Sequence, residues 1–309
     1  MTTLEKSGDA DAPLLFALPG NEPFATRLAS ALGADVGRML VRDFPDGESY
    51  VRVDTDATSR EVVIVATLDN PNEKALPLIF LADALRDLGA TRVGLVAPYL
   101  SYMRQDMRFR PGEAITSRSF AALMSNHVDW LLTVDPHLHR YAALSDVYAI
   151  PATAVHVSTD LGIWIAANID SPFIIGPDAE SRQWVDGIAE AAQAPSTVLT
   201  KTRRGDAEVI ESIPELDDHQ TSLTPVLVDD IISTGQTMIA AIRHLHRQRA
   251  KAPMCLAVHA VFANSAYAKL KSAGASGVVT TNTITHASNC IDVVPAIASE
   301  LRRKFALGS

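Results

Sequence analysis

From Leu14 to Phe305, short apolar runs alternate with longer segments whose apolar residues recur at helical spacing. Leu14–Leu18, Val62–Ala66, Val93–Ala97 and Trp130–Val134 read as strands. Helices are predicted over Phe24–Leu32, Leu76–Leu88, Thr116–Val128 and Ser158–Asn168, the last with Ser158 or Thr159 as cap. Val62–Ala66 is continuously apolar, as in a strand buried on both faces of a parallel sheet. A second series follows Asp170. Its strands are Phe173–Gly176, Thr197–Lys201, Val226–Val228, Ala257–Val261 and Gly277–Thr280; its helices are Ala179–Ala192, Met238–Arg249, Ser265–Ala273 and Val293–Phe305. Such alternation predicts an α/β fold of mainly parallel sheets flanked by helices. One departure is Val41–Val53, two strand-like runs about a Pro-Asp-Gly turn.

At 309 residues the chain accommodates two domains, with the boundary between Ala149 and Thr159. The expected division is a disordered N-terminus over 1–13, a first domain over 14–152 and a second over 153–309. The similar element order of the halves suggests a duplicated fold. The net charge of −9 argues against general binding to nucleic acid or membrane surfaces. Basic residues nevertheless crowd two loops: Arg104, Arg108, Arg110 and Arg118 in one, Lys201, Arg203 and Arg204 in the other. Concentrated basic loops on an acidic chain point to small anionic substrates. Cys255 and Cys290 show no metal spacing and are expected to be buried free thiols in a reducing compartment. With a polar N-terminal stretch and no apolar run of transmembrane length, the expected location is cytoplasmic.

The segment Val226-Leu-Val-Asp-Asp-Ile-Ile-Ser-Thr-Gly-Gln-Thr-Met238 concentrates the chemistry. A strand runs into two carboxylates, then a loop of small hydroxyl residues and glycine, then a helix. Backbone N–H groups of Ser233–Thr237 and the positive end of the helix suit a phosphate. Asp229 and Asp230 suit sugar hydroxyls, which are donors that a phosphate lacks. One group carries both needs, a ribose 5-phosphate. The bland alternative is a βα turn whose Ser and Thr merely cap the helix. The loop is neither Gly-x-Gly-x-x-Gly nor Gly-Lys-Ser/Thr. It resembles the ribose-phosphate loop of phosphoribosyltransferases and ribose-phosphate pyrophosphokinases.

Four further segments extend that resemblance: Phe44-Pro-Asp-Gly-Glu48; the loop Pro98–Thr116 containing Tyr102-Met-Arg-Gln-Asp106; Val134-Asp-Pro-His-Leu-His-Arg140; and Gly176-Pro-Asp178 with Thr200-Lys-Thr-Arg-Arg204. A polar loop as long as 98–116 inside a compact domain is usually functional, and Asp135 with His137 is a candidate pair for a hydrated divalent metal. In this order the segments resemble the ribose-phosphate pyrophosphokinases from Leu14 to Leu301, nearest the form found in archaea and some bacteria. The resemblance implies two phosphoribosyltransferase-like domains, the second bearing the ribose 5-phosphate loop. It implies transfer of the diphosphoryl group of ATP to ribose 5-phosphate, with Mg²⁺ as cofactor. Phe44, Asp46 and Glu48 would contact adenine from a neighbouring subunit, so a homo-oligomer, a dimer or a multiple of dimers, is expected. Arg104, Gln105, Asp106 and His137 would serve ATP, and His137 with Asp178 would organise Mg²⁺. Asp229, Asp230, Ser233, Thr234, Gly235 and Thr237 would hold ribose 5-phosphate, with Lys201 and Arg203 on a mobile catalytic arm.

Three positions depart from the family pattern. Ser233 stands where many relatives carry a third Asp, Ala179-Glu180 replace a His-Gly pair, and Met107 replaces a basic residue. These bear on regulatory phosphate or ADP binding more than on catalysis. A phosphoribosyltransferase would share 226–238 but needs neither the Arg-Gln-Asp loop nor Phe44–Glu48. A non-catalytic regulatory paralogue would not need Lys201, Arg203, His137 and Asp178.

Overall fold

The computed structural model describes residues 12–178, 181–199, 201–204, 207–210 and 216–307. Most of the stretch expected to be disordered, and Ala179-Glu180, lie outside them. In chain order the elements are β1 (Leu14–Ala17), α1 (Glu22–Leu32), β2 (Asp35–Val36), β3 (Met39–Asp43), β4 (Ser49–Val53), β5 (Glu61–Val65), α2 (Pro71–Asp87), β6 (Arg92–Ala97), α3 (Thr116–Ser125), β7 (Trp130–Val134) and β8 (Ala152–Val155). Next come α4 (Ser158–Asn168), β9 (Pro172–Gly176), α5 (Arg182–Ala192), β10 (Ser196–Val198), β11 (Lys201–Arg204), β12 (Ala207–Ile210), α6 (Asp218–Ser222), β13 (Thr224–Ile231), α7 (Gln236–Arg247), β14 (Met254–His259), α8 (Ala266–Ala273), β15 (Gly277–Thr281), β16 (Asn289–Ile291) and α9 (Val294–Leu307). No helix among the described residues is long and apolar enough to cross a membrane.

The chain forms two units, one of residues up to Val155 plus those from Val293 on, the other of His156–Asp292. The first holds a sheet of order β2-β1-β5-β6-β7-β8, the second a sheet of order β10-β9-β13-β14-β15-β16. Every pairing in both sheets is parallel. Each sheet therefore starts at its second strand, steps back to its first, and then runs outward. Each unit also inserts an antiparallel hairpin at the same point of that order, β3–β4 in the first and β11–β12 in the second. Repetition of both the order and the insertion gives the suggested duplication a topological form.

The strands form because their Val, Ile and Leu side chains find cover on both faces. Val62, Val63, Ile64 and Val65 of β5 are fully buried, and Val226, Leu227 and Val228 of β13 are buried too. Gly33 ends α1 in the left-handed region, φ 66°, as its position predicts.

Several expectations need correction. The last helix was placed with the second domain, but α9 packs in the first unit, against α1 and β8. It buries the stripe Ile297, Ala298 and Leu301 there, and Phe305 meets the Trp130 ring edge-on at 6.4 Å. Amphipathic spacing announces that a helix has a buried face without saying which core receives it. Neither Ser158 nor Thr159 caps α4; Val157 holds the cap position without a side-chain bond. Thr197–Lys201 is not one strand, since β10 ends at Val198 and Lys201 opens the hairpin β11–β12. Cys255 is buried as expected, whereas Cys290 is exposed on the edge strand β16.

Candidate active site

In the second unit the strand expected over Val226–Val228 continues to Ile231, with Asp229 opposite Ala257 and Ile231 opposite His259 of β14. Its other neighbour is β9, whose carboxyl end leads through Pro177 to Asp178. Asp178, Asp229 and Asp230 thus stand at the carboxyl ends of adjacent parallel strands where the strand order reverses, the position of the ligand crevice in open α/β sheets. The Asp229 carboxyl is held well above the usual carboxylate range. Burial is the main cause, followed by the charge of Asp230, a hydrogen bond with it, and the charge of Asp178. The Asp230 N–H, donated to Asp229 Oδ1 at 3.0 Å, pulls the other way. Hydroxyl donors or a cation would relieve this crowding.

The loop that follows is anchored at Ile232. Its N–H donates to the His259 carbonyl at 3.1 Å, and its carbonyl accepts from the Phe262 N–H at 2.8 Å. Gly235 then takes a left-handed conformation, φ 70° and ψ 10°, as the residue preceding α7; any other residue would be strained there. The cap position of α7 is held by Gly235, which has no side chain to cap it, and the first turn carries no acid. The first N–H groups of a helix have no partner within the helix and suit an anion. The short α6 shows the contrast, with Asp217 and Gln220 closing a reciprocal capping box. Beneath the loop, buried His259 Nδ1 lies 2.9 Å from Thr283 Oγ1, and Thr281 Oγ1 donates to the Val258 carbonyl at 2.7 Å. These supports went unread in the sequence, where the hydroxyl-rich Thr280–Thr283 at a strand end was their signal.

In the first unit the hairpin tip folds as its turn predicts, with the Phe44 N–H donating to the Glu48 carbonyl at 2.7 Å. Phe44, Asp46 and Glu48 are exposed, and the Arg42 guanidinium lies 4.6 Å from the Phe44 ring and 4.5 Å from that of Tyr50. The Arg-Gln-Asp segment follows β6 and the Asp-Pro-His segment follows β7, so both rise from carboxyl ends of neighbouring strands. Arg104 is exposed and Gln105 half-buried, its Oε1 accepting from Thr116 Oγ1 at 3.4 Å. Asp106 is buried and accepts from Arg140 Nη1 at 3.0 Å. Asp135, also buried, is held at φ 32°; such strain in a non-glycine residue concentrates at functional sites. The half-buried His137 ring meets His139 edge-on at 4.0 Å.

The expected residues therefore gather in two places. Arg104–Asp106 and His137 share one unit; Asp178, Asp229, Asp230 and the loop 233–237 share the other. The expected metal pair, His137 and Asp178, divides between the units. Among the described residues no group of three or more His, Cys, Asp or Glu is arranged to hold a metal ion. Lys201 and Arg203 lie in β11, opposite Ile210 and Glu208 of β12. The hairpin was missed, although four residues on each side of Gly205-Asp206 are a hairpin signal.

Residues 14–127 match the N-terminal domain of ribose phosphate pyrophosphokinase, and residues 145–296 match the phosphoribosyl transferase domain. A protein of Saccharolobus solfataricus named ribose-phosphate pyrophosphokinase is 35% identical over 281 residues, covering 89% of this chain and 95% of its own. The protein of that name from Sulfurisphaera tokodaii is 32% identical over 265 residues, covering 84% and 89%. The crystal structure of phosphoribosylpyrophosphate synthetase from Mycobacterium smegmatis superimposes with a TM-score of 0.83 at 24% identity, over 96% of this chain and 99% of that one, and so shares the fold. The chain belongs to the ribose-phosphate pyrophosphokinase family.

Proposed function

We propose that this enzyme transfers the diphosphoryl group of ATP to the anomeric hydroxyl of ribose 5-phosphate, giving 5-phosphoribosyl 1-diphosphate and AMP. The observation that carries this reading is the second unit's crevice, where crowded carboxylates at strand ends are joined by one short loop to a helix that opens on Gly235. Family membership supports the same reaction. Asp229 and Asp230 accept the sugar hydroxyls, while Ser233, Thr234, Gly235 and Thr237 surround the 5-phosphate. The anomeric oxygen attacks the β-phosphorus; the bond from that phosphorus to the α,β-bridging oxygen breaks, and AMP departs. Positioning and charge neutralisation matter more here than covalent chemistry. The Arg104–Asp106 segment and His137 serve ATP, and Lys201 and Arg203 face the charge that develops on the transferred group.

A hydrated Mg²⁺ would take a carboxylate from Asp178, which stands at a strand end beside Asp229 and Asp230, with His137 as the second expected ligand. Mg²⁺ commonly keeps its waters and takes further oxygens from substrate phosphates. Bound with the nucleotide, it supplies charge neutralisation at the phosphoryl oxygens. Purified protein given ATP, Mg²⁺ and ribose 5-phosphate is expected to form AMP and phosphoribosyl diphosphate in equal amounts, and to stop in excess EDTA. Absence of both products overturns the reaction, and full turnover in EDTA overturns the metal requirement.

The active form in this reading is a homo-oligomer built on dimers, in which Phe44, Asp46 and Glu48 complete the adenine site of a neighbouring subunit. The exposure of Phe44 and of the nearby apolar Val36 and Leu40 supports it. Sedimentation at assay concentration is expected to give a dimer or a multiple; a fully active monomer would refute the shared site.

A further inference from the structure

We infer that Asp106 is the anchor of a clamp closed by Arg140, and that Arg140 is a positioning residue for the nucleotide segment. The inference rests on the functional reading above and refines it, since Asp106 then acts through the fold instead of touching ATP.

The Asp106 side chain is only 2% exposed, and its carboxylate accepts from Arg140 Nη1 at 3.0 Å. Arg140 is half exposed, and its guanidinium also lies 5.6 Å from the Phe109 ring. Asp106 belongs to the loop after β6, and Arg140 ends the Asp-Pro-His segment after β7. One ion pair therefore ties together two loops from adjacent strands, 34 residues apart in sequence. The neighbouring Tyr141 hydroxyl adds a second tie. It lies 3.0 Å from the Oγ of buried Ser117 at the start of α3, and 3.5 Å from the Asp106 carbonyl. The Ser117 N–H donates in turn to the Gln105 carbonyl at 3.3 Å. Arg104 and Gln105 are thus held by a frame of which Asp106 and Arg140 form the hinge pin. A carboxylate so buried and committed to a partner is poorly placed to meet a substrate.

A double-mutant cycle tests this. Arg140→Met and Asp106→Asn should each raise the KM for ATP about tenfold, with the ribose 5-phosphate KM unchanged. The double variant should be no worse than the worse single one, because both remove the same interaction. Arg140→Lys should fall between wild type and Arg140→Met, because a point charge replaces the planar fork. If Asp106 instead touched ATP, Asp106→Asn alone would raise the KM, the Arg140 variants would match wild type, and the inference would fall. Equal effects on both substrates would overturn it too. Should Arg140→Met not fold, Asp106→Asn and Arg140→Lys carry the same expectations. ATP affinity by calorimetry reads the clamp without turnover, so a wild type that makes no phosphoribosyl diphosphate would count against the proposed reaction and not against the clamp.

Discussion

Lys201→Ala is expected to lower kcat on the order of 10²–10³-fold, or roughly 3–4 kcal/mol of transition-state stabilisation, while changing KM far less. The argument starts from the reaction. Negative charge accumulates on the transferred group only as the bond to the α,β-bridging oxygen breaks, and a cation aimed there strengthens its contact in the transition state alone. Lys201 opens a hairpin that follows the strand β10, and a hairpin closing over the nucleotide would exclude water and strengthen each charge contact. Lys201→Arg should restore activity only in part, since a planar fork does not sit where a point charge sat. An exposed lysine without a role in the reaction would lose less than about twofold on removal, the range of an ordinary surface substitution. Steady-state kinetics on the alanine variant separates the two, and a near-native kcat removes Lys201 from the mechanism.

The paired change Asp229→Asn with Asp230→Asn should raise the KM for ribose 5-phosphate on the order of 10²-fold, because each of the two carboxyls proposed to accept sugar hydroxyls loses an acceptor oxygen to an amide NH₂. ATP binding should persist, since the Arg104–Asp106 segment lies in the other unit. Folding should persist as well. Asp229 is already crowded by Asp230 and Asp178, and amides remove that repulsion; an unchanged melting temperature is the check that a loss of substrate binding is not unfolding. Calorimetry with ATP alone is the control, and an equal loss of ATP affinity would contradict the assignment of these carboxylates to the sugar.

What could be read in the sequence followed the range of the interactions concerned. The β-branched runs gave their strands because burial on both faces leaves no polar alternation, and Pro45-Asp-Gly47 gave the hairpin β3–β4 because turn chemistry is local. The acidic strand end and the glycine before α7 were legible for the same reason. Asp217-x-x-Gln220 and Gly205-Asp206 are equally local signals, of a capping box and of a tight turn. The tie between Asp106 and Arg140 is of another kind. Nothing around either residue announces the other, and only adjacency of β6 and β7 brings them together. Exposure of Cys290 and the destination of α9 likewise depend on which strand lies at the edge and which core has a vacant face.

The return of α9 to the first unit makes that unit discontinuous, with residues 156–292 inserted between β8 and α9. On the ribosome, the flank of α1 that α9 covers must wait for the whole insertion to be made, a delay on the order of ten seconds at ordinary elongation rates. The inserted unit, being contiguous, has no such wait. Closing the long loop adds little to the equilibrium, since each doubling of loop length costs only about 0.6 kcal/mol. It weighs instead on rate, because the contacts of α9 with α1 are among the most distant in sequence that the unit makes. The nascent first unit therefore displays an unfinished apolar seam while its partner matures, and the order of completion runs opposite to the order of synthesis.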